Sequence, residues 1–219
     1  HSKTFQEQKP VKWAFIEEFF VRDFYEKLYE TYPKKDDSWF TESTDDKSNH
    51  RKWWGVDRSI HIATNVEDPT FSESWNKFHR YLFSDELISN FRKFSGIPVK
   101  LKQFSLMLLT RGGYQLPHIH NVGPSTMILM LFFSKNWKKG DPGGTYITPD
   151  DTESNMIFEP SNLDNTAIIF QDGPHAGHGV RQITKDVERR AVQIYLEKYL
   201  PETGWSAYPI ERELREISN

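Results

Sequence analysis

The stretch Gly112-Gly113-Tyr114-Gln115-Leu116-Pro117-His118-Ile119-His120-Asn121 decides how the rest of the chain is read. In a strand, side chains at i and i+2 share a face, so His118 and His120 can reach one metal ion together while Ile119 packs behind them. Downstream of the pair lies Ser125–Phe133, nearly continuous apolar sequence of the kind expected of a strand buried on both sides. Next come Gly143-Gly144-Thr145-Tyr146, then Phe170 to His178-Gly179-Val180, then Arg189-Arg190 opening a last β-patterned segment. Upstream, Val99–Leu109 has β character and breaks at Gly112-Gly113. The segments Thr145–Thr148, Met156–Glu159, Thr166–Phe170, Gly179–Ile183 and Ala191–Leu196 are short strands separated by Asp, Pro, Asn and Gly clusters. Short strands at such spacing argue for a sandwich or barrel over βαβ units.

Ahead of this β region the pattern is helical. Trp13, Ile16, Phe20, Phe24 and Leu28 recur at three- and four-residue steps, so Val11–Tyr32 is predicted as one amphipathic helix stopped by Pro33. Lys34–Asn49 is polar and is predicted as an exposed loop, and the second half of Arg51–Ile62 alternates like a strand. Thr70-x-x-Glu73 has the form of a capping box opening a helix through Trp75, Phe78, Tyr81 and Leu82. A second helix is expected from Ser84 to its C′ glycine, Gly96. The tail 201–219 holds a short helix candidate, Ile210–Ile217. One domain over 1–219 is expected, with helical support at about 10–96, a barrel core at about 97–200 and the tail.

Composition excludes several function classes. Net charge is −3, without the basic balance of a nucleic-acid-binding domain. There is no cysteine, which removes disulfides, thiolate metal sites and a cysteine nucleophile, so any metal must be held by His, carboxylates or carbonyls. No apolar run approaches the roughly 20 residues needed to span a bilayer, and the N-terminus lacks a signal-peptide pattern. The expectation is a soluble, cytoplasmic protein without a nucleic-acid or membrane partner; oligomeric state is left open.

The ordered set His118-Ile-His120, Ser134-Lys-Asn136-Trp137, Gly143-Gly144-Thr-Tyr, His178-Gly-Val180 and Arg189 or Arg190 resembles the Fe(II)- and 2-oxoglutarate-dependent dioxygenases, in particular their prolyl-hydroxylase-like branch. That family writes His-x-Asp, Asn-x-x-Trp, Gly-Gly-x-Leu, a distal His-x-Val, and an Arg opening the last core strand. The departure is His120, where the family places an Asp. The resemblance implies a mainly β, α+β double-stranded β-helix (jelly-roll) with N-terminal helices. It also implies an Fe(II) site made of His118, His120 and His178, 2-oxoglutarate as co-substrate, and O2-dependent hydroxylation of a small-molecule or peptide substrate, with a tilt toward prolyl or other peptide side chains. Three neutral imidazoles leave Fe(II) at +2, which dianionic 2-oxoglutarate neutralises.

The distal carboxylate of the co-substrate must be held inside an apolar barrel, a task for a bidentate, permanently charged Arg. Strand alternation lets only one of the pair point inward, and the alignment favours Arg189 over Arg190. Thr110 and Tyr114 flank the same barrel end and are further candidates to hydrogen-bond the co-substrate, with packing as the alternative role. His175, three residues before His178, is the competing third ligand. Gly143-Gly144 permits a tight turn, and Asn136-Trp137 anchors the barrel.

The alternatives are a cupin, a three-His zinc hydrolase, a halogenase and a non-catalytic barrel. A cupin's first motif continues to a Glu that 121–126 lacks, and its second is spaced differently from Pro174-His-Ala-Gly-His178. Nothing in the sequence supplies a hydrolase base. Halogenating relatives replace the Asp by a small residue, and His120 leaves no such room. A non-catalytic barrel would bind a ligand or partner but would not turn over 2-oxoglutarate.

Overall fold

In the computed structural model, which describes residues 2–54, 63–120, 126–202 and 204–205, the apolar run becomes strand β6 (Thr126–Phe133), every residue of it buried. Around it the chain forms, in order, α1 (Ser2–Glu7), β1 (Trp13–Ile16), α2 (Arg22–Glu30), β2 (Phe40–Ser43), β3 (Lys47–Trp53), α3 (Glu73–Tyr81), α4 (Asp85–Ser95), β4 (Val99–Leu109) and β5 (Tyr114–His118). After β6 come β7 (Thr145–Thr148), a 3-10 turn (Glu153–Asn155), β8 (Asp164–Gln171), β9 (Gly177–Val180), β10 (Arg189–Leu200) and β11 (Gly204–Trp205). The strands make one antiparallel sheet in the order β1-β8-β6-β10-β4-β3-β5-β9-β7, with β2 on β3 and β11 on β10. This is the jelly-roll order, a sheet curled into a half-barrel.

Alternation along β10 divides the core in two. Val192, Ile194 and Leu196 face a cluster that includes Trp75, Phe78 and Phe133 of the helix side, whereas Ala191 and Tyr195 face the interior with Met107, Met130, Phe132 and Phe170. The helical layer is pinned across the outer face by Tyr32, whose buried hydroxyl donates to the carbonyls of Met107 (2.8 Å) and Ala191 (2.9 Å). The curl brings the two terminal strands of the order together over Phe158. Its backbone bridges Ile147 of β7, while its ring stacks on Trp13 of β1 at 4.3 Å.

Four expectations are corrected. Val11–Tyr32 is not one helix, because Trp13–Ile16 is a strand paired with β8 and only Arg22–Glu30 is helical. Trp13 and Phe15 pack on the interior cluster and Ala14 and Ile16 on the helix-side cluster, so this short strand is apolar on both faces and its spacing imitates a helix. Lys34–Asn49 is not all loop, since it contains β2 and the start of β3. Its polar composition hid the strands because the side chains Glu42, Asn49 and Arg51 belong to a polar, half-buried to buried barrel wall. The α3 cap is Ser72, whose hydroxyl accepts from the Trp75 amide, while Thr70 serves an Asp68 turn. Met156–Glu159 contributes only the Phe158 bridge. Ser84 and Gly96 cap α4 as expected, with Gly96 at φ 75°. The alternating half of Arg51–Ile62, Asn121 and the Ile210–Ile217 helix candidate lie outside the described residues.

Candidate metal centre

His118 ends β5 and stands directly across from His178 on β9, so strand register sets two of the three rings side by side. His120 follows two residues beyond, past the end of the strand, with its ring still on that face. Ring centroids are 4.3 Å apart for His118 and His178, 4.6 Å for His120 and His178, and 4.9 Å for His118 and His120. The ligand atoms of all three lie within 4.8 Å of one another. Gly179 makes the close approach possible. A Cβ there would stand 2.4 Å from the Tyr146 hydroxyl and 2.6 Å from the Gln115 carbonyl, so only glycine fits between β5 and β7.

The tautomers follow from the partners. Nδ1 of His118 lies 3.0 Å from the Leu116 carbonyl, and Nδ1 of His178 lies 3.1 Å from the Ala176 carbonyl. A carbonyl only accepts, so both Nδ1 atoms carry hydrogen and both Nε2 atoms carry the lone pair. Nε2 of His178 is buried without a partner, and Nε2 of His118 is 3.1 Å from Nε2 of His120. Two ligand nitrogens about 2.1 Å from one ion at a right angle lie about 3 Å apart, so the observed separation fits a shared metal. Burial, with the neighbouring imidazoles adding to it, pushes His178 well below the ordinary histidine range and lowers His118 as well. Both rings are thereby held neutral, the form that ligates. His175 is exposed on the surface beyond β8 and takes no part in the cluster.

The two arginines separate by strand alternation. Arg189 is fully buried; its Nε donates to the Gly143 carbonyl and one Nη to the Thr145 hydroxyl, each at 2.8 Å. The remaining Nη1 is buried with no partner, and burial lowers the pKa to about 10. Among the described residues no carboxylate lies within ion-pair distance of this buried cation, and one side of its fork is free. Arg190 instead pairs with Glu188 on the other face. Thr110 is exposed, and the Tyr114 hydroxyl donates to the carbonyls of Thr44 and Asp45. Neither is brought to Arg189 or to the histidines.

β7 ties the two features together. Ile147 is registered opposite His178, and Thr145, two residues away on the same face, holds Arg189. That step is about 7 Å along a strand, a span that a five-carbon dicarboxylate can bridge.

Residues that sequence reasoning did not single out complete the site. The Tyr195 hydroxyl lies 3.4 Å from Nε2 of His120, and burial raises its pKa to about 12, so it remains a neutral donor. Gln193 links Tyr195 to Arg51. Asp172, buried beyond β8, turns a carboxylate oxygen to within 3.6 Å of Nδ1 of His120. Tyr195 and Gln193 could have been found by counting even steps from Arg189; Asp172 carries no such signal.

Neither a protein-family model nor a curated protein matches this sequence. Solved structures do share its fold. A 2OG-Fe(II) oxygenase family oxidoreductase from Burkholderia pseudomallei matches with TM-score 0.64 at 14% identity, over 90% of this chain and 88% of that one. A Pseudomonas putida prolyl-4-hydroxylase matches with TM-score 0.63 at 14% identity, over 90% and 98%. HygX from Streptomyces hygroscopicus, with nickel, 2-oxoglutarate and hygromycin B bound, matches with TM-score 0.57 at 10% identity, over 93% and 95%. The chain thus has the fold of the 2-oxoglutarate-Fe(II) oxygenases.

Proposed function

We propose that the chain is an Fe(II)- and 2-oxoglutarate-dependent dioxygenase that hydroxylates a C–H bond of a prolyl or other peptide side chain, an amino acid or a small metabolite. The observation that carries this reading is the pairing of three converging imidazoles, two of them with the lone pair on Nε2, with a buried guanidinium whose Nη1 has no partner. Three histidines alone would equally suit zinc, and a buried arginine alone would equally suit a strut between strands. A neutral three-nitrogen site and an unneutralised cation in one barrel together fit a dianion bridging them. Fold neighbours that carry metal and 2-oxoglutarate in their structures support it.

In this reading His118, His120 and His178 hold Fe(II), whose bound chemistry couples O2 and the conversion of 2-oxoglutarate to succinate and CO2 to substrate hydroxylation. Arg189 receives the distal carboxylate, restoring the partner its charge lacks, with Thr145 and the Gly143 carbonyl fixing the fork. Phe170, whose ring lies 4.7 Å from that of His178, and Ile147 keep the interior apolar and exclude water. Tyr195 stands beside the metal position as a neutral hydroxyl donor.

Purified protein supplied with Fe(II) and O2 is expected to convert 2-oxoglutarate to succinate, and a panel of prolyl peptides, amino acids and small metabolites should stimulate that release selectively. No succinate above the level of the His178→Ala protein would mean that the barrel binds without catalysing.

A further inference from the structure

A carboxylate sealed from solvent usually has a cation or several hydrogen bonds, since an isolated buried charge is strongly disfavoured. Asp172 is a partial exception. Its side chain is 0% exposed; Oδ1 accepts from the Gly173 amide at 3.0 Å, whereas Oδ2 has no partner. Among the described residues no lysine or arginine lies within ion-pair distance of it. Its backbone is fixed, the amide donating to the Thr126 carbonyl at 2.9 Å, so the carboxylate is aimed rather than adrift.

What Oδ2 faces is Nδ1 of His120 at 3.6 Å, itself buried without a partner. The two orphaned atoms are complementary, an acceptor with nothing to accept beside a ring nitrogen that has no partner. The separation exceeds hydrogen-bond length by a few tenths of an ångström, which a small rotation of the partly exposed His120 ring removes. The other two histidines have their Nδ1 atoms committed to carbonyls, leaving only His120 in need of such a group.

We propose that Asp172 is a positioning residue of the metal centre: its carboxylate receives the Nδ1 hydrogen of His120 and so turns the Nε2 lone pair toward the ion. This rests on the three-histidine reading given above. Two histidines and one aspartate bring one negative charge to a divalent ion, whereas three imidazoles bring none. Asp172 returns that charge from behind the ligand, so the anion is moved outward by one imidazole rather than lost. A carboxylate on the far nitrogen also makes the imidazole a stronger donor.

Anaerobic titration with Co(II), followed by ligand-field absorption, tests this in two backgrounds. In the wild type, Asp172→Asn is expected to weaken Co(II) binding about 10- to 100-fold and shift the absorption bands. With His120→Asp in place, the same substitution should cost nothing or tighten binding, because Asp172 would then face another carboxylate. Loss of equal size in both backgrounds marks a merely structural role and overturns the proposal, as does a wild-type-background affinity within threefold. Should Asp172→Asn fail to fold, nitrogen-15 spectra of histidine-labelled wild type with Zn(II) decide. Hydrogen on Nδ1 and metal on Nε2 of His120 is expected, and metal on Nδ1 overturns the proposal. A wild type that takes up neither ion overturns the three-histidine reading itself, which is a different result from binding that ignores Asp172.

Discussion

Replacing Arg189 by Met separates the barrel's stability from its ligand binding. Burial lowers Arg189 from the ordinary arginine range to about 10, roughly 3 kcal/mol of penalty for holding the cation. The sign follows from its being a base with a depressed folded pKa. The penalty is present at every pH below about 10 and declines only as pH rises from there toward the ordinary arginine range. Met removes that penalty and also the bonds to Gly143 and Thr145, two charge-assisted bonds each worth about 1.5–3 kcal/mol. The terms oppose, so the free protein's stability should change by no more than about 3 kcal/mol. Ligand binding has no such compensation. Losing the cationic half of a buried pair costs about 2–5 kcal/mol, or roughly 30- to 4000-fold in Kd for 2-oxoglutarate. Thermal unfolding with turnover-inert Ni(II) reads both effects. At a 2-oxoglutarate concentration about 100 times its Kd the wild type gains about 2.7 kcal/mol, a rise of about 5–11 °C in Tm. Arg189→Met, its Kd raised by that factor, should show at most about a third of that rise, while Arg190→Met, whose guanidinium pairs with Glu188, should show all of it. Equal shifts in the wild type and Arg189→Met, or loss of the shift in Arg190→Met, would refute the assignment.

His118→Ala and His178→Ala should each abolish stoichiometric metal binding, since two imidazoles remain; equilibrium dialysis against Fe(II) or Ni(II) under nitrogen checks this, and retained stoichiometric iron in either variant contradicts it. His79, buried and stacked on Trp54 at 4.1 Å, is lowered to about 4 by burial. The unfolded chain therefore binds one more proton than the folded one between pH 6.5 and about 4, and stability falls across that window as pH drops, by up to about 1.4 kcal/mol per pH unit. Urea unfolding of His79→Phe should lack that component; profiles parallel to the wild type would show that His79 does not cause it.

Legibility in the sequence followed the physics of each element. β6 and the second half of β4 are largely apolar and fully buried, so their runs read directly as strands. The i, i+2 rule correctly puts His118 and His120 on one face, and alternation separates Arg189 from Arg190. β1 misled because a strand packed on both faces spaces its apolar residues as a short helix does. β2 and β3 misled because their inward side chains are the polar wall of Glu42, Asn49 and Arg51. Asp172 was invisible for another reason: its importance lies in facing His120 across a turn 52 residues distant in sequence, and no local pattern encodes that contact.

An anaerobic crystal structure with Fe(II) and 2-oxoglutarate tests the central claim most directly. The account predicts one ion held by Nε2 of His118, His120 and His178, with the distal carboxylate of 2-oxoglutarate on Arg189. An ion held without His120, its ring turned away and water in its place, or a co-substrate that leaves Nη1 of Arg189 unpaired, would contradict it.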